Sequence, residues 1–426
     1  MLPHIASSNR RKIWTLLAVT LMLAVALPCA ADKKKKAAAD PQAQLPKRMN
    51  FDISKIIWPN PPAITRIRFL QQFTGEKIDF NTVVNGKKKE KQGWMDRLAG
   101  TKPQADQDLK LPFQLVRTYG VAFDSKGRIY AADQAVGAIF IFDAEKKGEV
   151  ELIRNGQEAH FGLINGLAID DNDRIFVSDD KLHRITVISP SKVGDRKFQE
   201  DAGFGMEVLG GPGGLAIDTE NRFLYVVDTQ NDVVVVFDAD TFKMLRKIGV
   251  AGKKHTLTDP GTFSLPTNVA LDKDGNVYVT DTLNNRVQIF DADGKFIGMF
   301  GKNGDGPGYL ARPKGIAIDA DGHIWVVDAV QQRVQVFNRE GQLLIYFGEA
   351  GSWPGQFSAP YDIAIDTKFN RVVTSEQFPG RVQMFRYVTD SEAEQLRIER
   401  AKDETKPATG ESANANSEKK NPAVPQ

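Results

Sequence analysis

The sequence predicts an all-β protein, a six-bladed β-propeller closed by an N-terminal strand. Three observations carry this. First, one motif recurs six times: Gly120-Val-Ala-Phe-Asp124, Gly166-Leu-Ala-Ile-Asp170, Gly214-Leu-Ala-Ile-Asp218, Asn268-Val-Ala-Leu-Asp272, Gly315-Ile-Ala-Ile-Asp319 and Asp362-Ile-Ala-Ile-Asp366, its Asp residues 46, 48, 54, 47 and 47 positions apart. Second, an acidic residue follows each Asp after 9 or 10 positions (Asp133, Asp179, Asp228, Asp281, Asp328, Glu376), and an apolar one follows that after 9 more (Phe142, Ile188, Phe237, Phe290, Phe337, Phe385). Fixed spacing inside the unit and variable spacing outside it describe one hydrogen-bonded sheet per repeat, and four strands at this period make a propeller blade. Third, the sixth unit reaches the polar tail without a fourth strand, while Arg68-Phe-Leu-Gln-Gln-Phe73 matches the fourth strand Lys295-Phe-Ile-Gly-Met-Phe300 of unit four.

Taken in order, residues 1–31 read as an export signal, with Arg10, Arg11 and Lys12 ahead of the uncharged run 13–31. Retention as a membrane anchor and lipidation at Cys29 are the other outcomes of such a segment. Residues 32–62 form a Lys- and Pro-rich linker. Residues 63–74 are the closing strand, and 75–111 an insert whose Trp94 and Leu98 suit a short helix packed on the ring. Blades fill 112–389. In unit five the strands fall at 315–319, 323–328, 333–337 and 342–347, with Asp321-Gly322 as a hairpin turn. Residues 390–426 are polar, helical at first and then Pro-, Ser- and Asn-rich, a composition that favours disorder.

Composition narrows the function classes. A chain of 426 residues with 41% hydrophobic and 26% charged residues is globular. Its one cysteine, Cys29, excludes a disulfide framework and any multi-cysteine zinc module. Residues 112–389 carry 30 basic against 37 acidic side chains, net −7, which argues against nucleic acid. No phosphate-binding loop or nucleophile elbow is present. The two Asp series occur in every blade, so they read as backbone caps rather than as a site. Arg184, Arg286, Arg333 and Arg381 share one repeat position and read as contacts to neighbouring blades or the rim.

At these residues the chain resembles the NHL-repeat propellers. Arg312-Pro-Lys-Gly-Ile-Ala-Ile-Asp319, Asn284-Asn-Arg-Val-Gln-Ile-Phe290 and the Gly-rich connectors from Gly301 and Gly348 carry the likeness, which extends over 112–389 and the closing strand. The resemblance implies function where blades differ, at the face formed by the loops leading into the inner strands. The candidate binding residues there are Arg117, Tyr119, His183, Arg312, Lys314 and Tyr361, a mixture of the aromatic and Arg types enriched in recognition surfaces. The expectation is a non-enzymatic envelope scaffold binding a protein or peptide, with no cofactor, no nucleic-acid partner and possible membrane association through the N-terminal segment; oligomeric state stays open. The alternative is a metal-dependent lyase or lactonase of the peptidylamidoglycolate lyase or sugar-lactonase type. Asn165, Asn268 and Asp362 would then hold Ca or Zn at the channel mouth. His160, His183, His255 and His323 fall at unrelated repeat positions, so no histidine triad follows.

Overall fold

A computed structural model describes residues 52–76, 112–146, 148–191, 197–250 and 259–405. The expected export signal, most of the linker, the insert with Trp94 and Leu98, and the tail from 406 lie outside the described residues. Among the described residues no helix is long and apolar enough to cross a membrane.

Six antiparallel sheets form a six-bladed β-propeller, and blades one to five are single four-stranded runs over 118–154, 164–204, 212–248, 266–300 and 313–347. Blade six takes three strands from the C-terminal end (Pro360–Asp366, Arg371–Gln377, Gly380–Tyr387) and its fourth, Ile67–Phe73, from the N-terminal end. The pairing runs from Ile67 opposite Tyr387 to Phe73 opposite Val382. A fifth strand, Ile57–Trp58, lies outside it, opposite Arg68 and Ile67. The sequence placed these two residues in the linker. Trp58 binds them to the fold, its ring 5.4 Å from that of Phe347 and 6.0 Å from that of Phe385.

The core consists of six apolar layers, each between two neighbouring blades. Middle strands are buried on both faces, which is why 233–237 reads Val-Val-Val-Val-Phe without alternation. Outer strands alternate: Ile297 and Met299 face solvent in Phe296–Phe300, and Leu344 and Tyr346 in Leu343–Phe347.

Both Asp series cap backbone. Asp319 Oδ1 accepts from the N–H groups of Asp321 and His323, closing the hairpin between strands one and two. Asp328 accepts from Ala311 and Arg312 in the lead-in loop and from Val330 and Gln331 in the next turn, tying both to one strand end. The repeated arginines clamp the connector of their own blade rather than a neighbour: Arg286 donates to Asp259 and Thr262 carbonyls, Arg381 to those of Ser352 and Gln356, and Arg333 to those of Asp305 and Gly306.

Candidate functional site at the channel mouth

Every inner strand is bulged near its start. The register shifts between Thr118 and Val121, Ile164 and Leu167, Pro212 and Leu215, Pro266 and Asn268, Pro313 and Ile316, and Pro360 and Ile363. A bulge frees residues from the ladder and re-aims them, here toward the axis. Two rings result. The upper carries Tyr119, Asn165, Gly213, Thr267, Lys314 and Tyr361; the lower carries Gly120, Gly166, Gly214, Asn268, Gly315 and Asp362.

The lower ring shuts the channel. Of its four glycines, Gly120, Gly166 and Gly315 let the backbone of a neighbouring blade come close, and Gly214 makes room for the Asn268 side chain. A Cβ on Gly214 would collide with the Asn268 amide, and one on Gly315 would lie 2.6 Å from the Asp362 Cα. Asn268 Nδ2 donates to Asp362 Oδ1 at 2.6 Å, and the Val121 N–H donates to Asp362 Oδ2 at 3.0 Å. One buried carboxylate therefore joins blades one, four and six. Burial pushes its pKa up to about 6 despite the donors, among them the Ile363 N–H.

Beneath this lies an alternation that the sequence reading missed. Ser178, Thr280 and Ser375, in blades two, four and six, each accept from a bulge N–H (Gly166, Asn268, Asp362) and donate to a carbonyl of the following blade (Gly213, Lys314, Tyr119). Blades one, three and five carry Ala132, Val227 and Val327 at that position. The signal was the residue just before each strand-two acid, which alternates apolar and hydroxyl around the ring.

The upper ring is the candidate site. Tyr119 and Tyr361 pack at 4.6 Å between ring centroids, and the Tyr361 hydroxyl donates to Asn165 Oδ1 at 2.9 Å. Burial, with Tyr119 beside it, holds the Tyr361 hydroxyl well above its usual pKa. The Lys314 ammonium lies 5.6 Å from the Tyr361 ring centroid. Burial and the charge of Arg312 depress its pKa to about 8. Arg117 and Arg312 are exposed on the rim. Among the described residues none of these three cations has a carboxylate within ion-pair distance, and the nearby Asp180 on blade two is likewise unpaired. Burial raises the Asp180 pKa.

His183 belongs elsewhere. Its backbone is left-handed (φ 51°), as at Asp232, Asn285 and Gln332 in the same turn of blades three, four and five. Each of the four bonds the following blade's lead-in loop: His183 Nδ1 to the Gly210 carbonyl, Asp232 Oδ1 from the Leu265 N–H, Asn285 to Ala311 and Gln332 to Ser358. His183 is thus placed as an inter-blade latch rather than in the upper ring with the other candidate binding residues.

The three proposed metal ligands do not fit a cation. Asn268 presents its N–H₂ to Asp362, its own oxygen accepts from Val269, and the Asn165 oxygen is taken by Tyr361. Calcium needs six or more free oxygens, and these are already occupied by protein donors. The Asp319–Asp321–His323 group also offers clustered atoms, but Asp319 Oδ2 accepts from His323 Nδ1 and Trp325 Nε1. That group borders a cavity of about 670 Å3 between the closing strand, blade five and the C-terminal helix. The arginines there are paired, Arg66 with Asp390 and Arg397 with Glu394.

A family model described as a 6-bladed beta-propeller matches residues 263–334. The chain is similar in fold to a structural genomics protein of unknown function from Bacteroides thetaiotaomicron, at 19% identity and TM-score 0.53, over 64% of this chain and 70% of that one. A gluconolactonase from Xanthomonas campestris (17% identity, TM-score 0.48, 64% and 86% covered) and virginiamycin B lyase from Staphylococcus aureus (13%, 0.45, 64% and 96%) are more distant. At these identities the likeness shows the ring and nothing of its chemistry. No curated protein matches the chain.

Proposed function

We propose that the chain is an exported, non-enzymatic propeller scaffold that binds a protein or peptide on the face carrying the lead-in loops. One contrast supports this reading. The acid at the channel centre is consumed by donors from three blades, whereas above it the half-buried Tyr119–Tyr361 pair stands beside cations that have no carboxylate within ion-pair distance among the described residues. Flat aromatic surface beside unneutralised charge on a stiff ring suits recognition, since little side-chain entropy is lost on binding.

The test is photo-crosslinking in the native cell, with the crosslinker placed at Arg117 or Arg312 and, as control, at Lys273 on the opposite face. One discrete adduct from the first two positions, absent from the third and lost on changing Tyr119 and Tyr361 to Ala, supports the scaffold. Equal adducts from both faces would sink it. So would a near-stoichiometric metal in the purified protein that disappears with Asp362→Ala.

A further inference from the structure

We propose that the upper ring is a subsite for a single carboxylate of an acidic peptide segment, with the Lys314 ammonium as its central cation, Arg312 beside it and the Tyr119–Tyr361 pair as its wall. The assignment rests on the peptide-binding reading above and names the chemistry that the site would take.

Four observations converge on it. Lys314 and Arg312 lie two residues apart in one lead-in segment, close enough for the charge of Arg312 to act on the Lys314 ammonium. Like charges are not brought together in a partly desolvated place without cost, and no carboxylate of the described residues offsets it. By contrast Arg286 and Arg381, at one repeat position, are each bound to an acid of their own blade, Asp281 at 2.8 Å and Glu376 at 2.6 Å. The surrounding body is acidic, so the unpaired cations stand out locally as the attractive point for an anion.

The shape of the ring selects the ligand. Gly213 and Thr267 are the small members of the upper ring, so the blade-three and blade-four side carries no long side chain beside Lys314. Asp362 and Asn268 close the channel directly beneath, so a group can sit on the mouth without passing through. Asp180, across on blade two, acts electrostatically on Tyr361 and repels a second negative charge on that side. One carboxylate is therefore accommodated on the blade-five side, and polyanions are disfavoured both by Asp180 and by the net −7 of the body. The tyrosine rings give the flanking aliphatic or aromatic side chain a flat contact, with the Lys314 stem alongside.

The experiment is an NMR titration of the full chain with a capped tripeptide carrying one central glutamate, followed through labelled tyrosine rings. Its glutamine counterpart and inorganic phosphate serve as the two comparison arms. Saturable shifts of the Tyr119 and Tyr361 signals are expected with the glutamate peptide alone. The affinity should fall at least tenfold with Lys314→Met and be unchanged with Lys302→Met, a surface lysine of blade four's outer connector. Lys314→Arg, which keeps the charge, should restore binding in part and reports that loss in Lys314→Met is not a failure of folding. Equal shifts with the glutamine peptide, saturation by phosphate at the same site, or an unchanged affinity in Lys314→Met would each overturn the proposal. If cellular crosslinks from Arg117 and Arg312 persist in Lys314→Met, the scaffold reading stands and the carboxylate subsite alone falls.

Discussion

Asp362 shows what one side chain does for the ring. It is the sixth copy of a position occupied by glycine in four blades, and it replaces an open channel by hydrogen bonds among blades one, four and six. Substitution by Ala would leave the Val121 N–H and the Asn268 amide buried without partners, at a cost of about 2–4 kcal/mol; a drop in thermal midpoint measures it. The acid also carries a pH signature. Its folded pKa, about 6, lies above the ordinary 3.8, so the folded state holds the proton more tightly than the unfolded chain. Its contribution is therefore full below about pH 3.8 and is lost as pH rises through about 6, a difference of roughly 3 kcal/mol. Denaturant midpoints across that window should fall less steeply in Asp362→Ala than in the native protein. Lys314 supplies a second residue-scale prediction. With a pKa of about 8 it holds a larger neutral fraction at pH 8 than an ordinary lysine. Limited acetylation at that pH, read by peptide mass spectrometry, should modify Lys314 ahead of the exposed lysines. The two acids Asp319 and Asp328 illustrate what a repeated residue signifies, since each caps backbone N–H groups and neither faces the channel mouth.

At the scale of elements, the seam of blade six is the one place where, among the described residues, a blade joins strands from opposite ends of the chain. Phe385 is its keystone, with ring contacts to Trp58, Phe69, Phe347 and Phe357 at 5.0–6.0 Å. Phe385→Ala should cost about 3–5 kcal/mol, near the upper end for a fully buried ring. The C-terminal helix, Asp390–Thr405, is fastened beside the same seam: Arg66 binds Asp390, and Arg386 binds Glu392 at 2.7 Å. His323 joins it, with Nδ1 3.0 Å from Asp319 and Nε2 3.5 Å from Asp390. The hydrogen bond that His323 donates to Asp319, helped by the charges of Asp319, Asp390 and Asp321, raises the histidine pKa. Its stabilisation is accordingly complete below about pH 6.5 and disappears as pH rises through the higher folded value. Thermal midpoints on either side of that value should converge in His323→Gln and differ in the native chain. Strand number, hairpin turns and the origin of the closing strand were legible in the sequence because apolar periodicity and the Asp positions repeat with little drift. Ile57–Trp58 was not, since a two-residue strand beside four prolines (Pro59, Pro61, Pro62 and, earlier, Pro46) has no periodicity to detect. The role of His183 was hidden for another reason: its equivalents are Asp, Asn and Gln, so the shared feature is a backbone angle and not a residue type.

Over the whole molecule, the bulged inner strands and the hydroxyl bridges divide six similar blades into three pairs. Ser178 links blade two to three, Thr280 four to five and Ser375 six to one. The interfaces one–two and three–four are bridged from a different position, by Gln134 to the Ile164 carbonyl and Thr229 to the Pro266 carbonyl. The candidate site gathers side chains from blades one, two, five and six, far apart in sequence, and could be placed only in outline before their positions were known. Residue types at the loops were readable; the two-ring layering and the Asn268–Asp362 bond across blade five were not, because both depend on glycines that make room for neighbours.

The antiparallel seam has a mechanical meaning. Ile67, at the start of the closing strand, faces Tyr387, at the end of its partner, so both chain directions leave blade six at the same end of the ladder. A force drawing the two termini apart would load that ladder one hydrogen bond at a time, as a zipper is opened, rather than all bonds together in shear. The pull would be met first by the outer strand Ile57–Trp58, and then by the clasp at the ladder's end, where Val388 and Arg66 exchange backbone and side-chain hydrogen bonds and Asp390 holds the guanidinium. Once past that clasp the ring would open at low force into an arc of five self-contained blades.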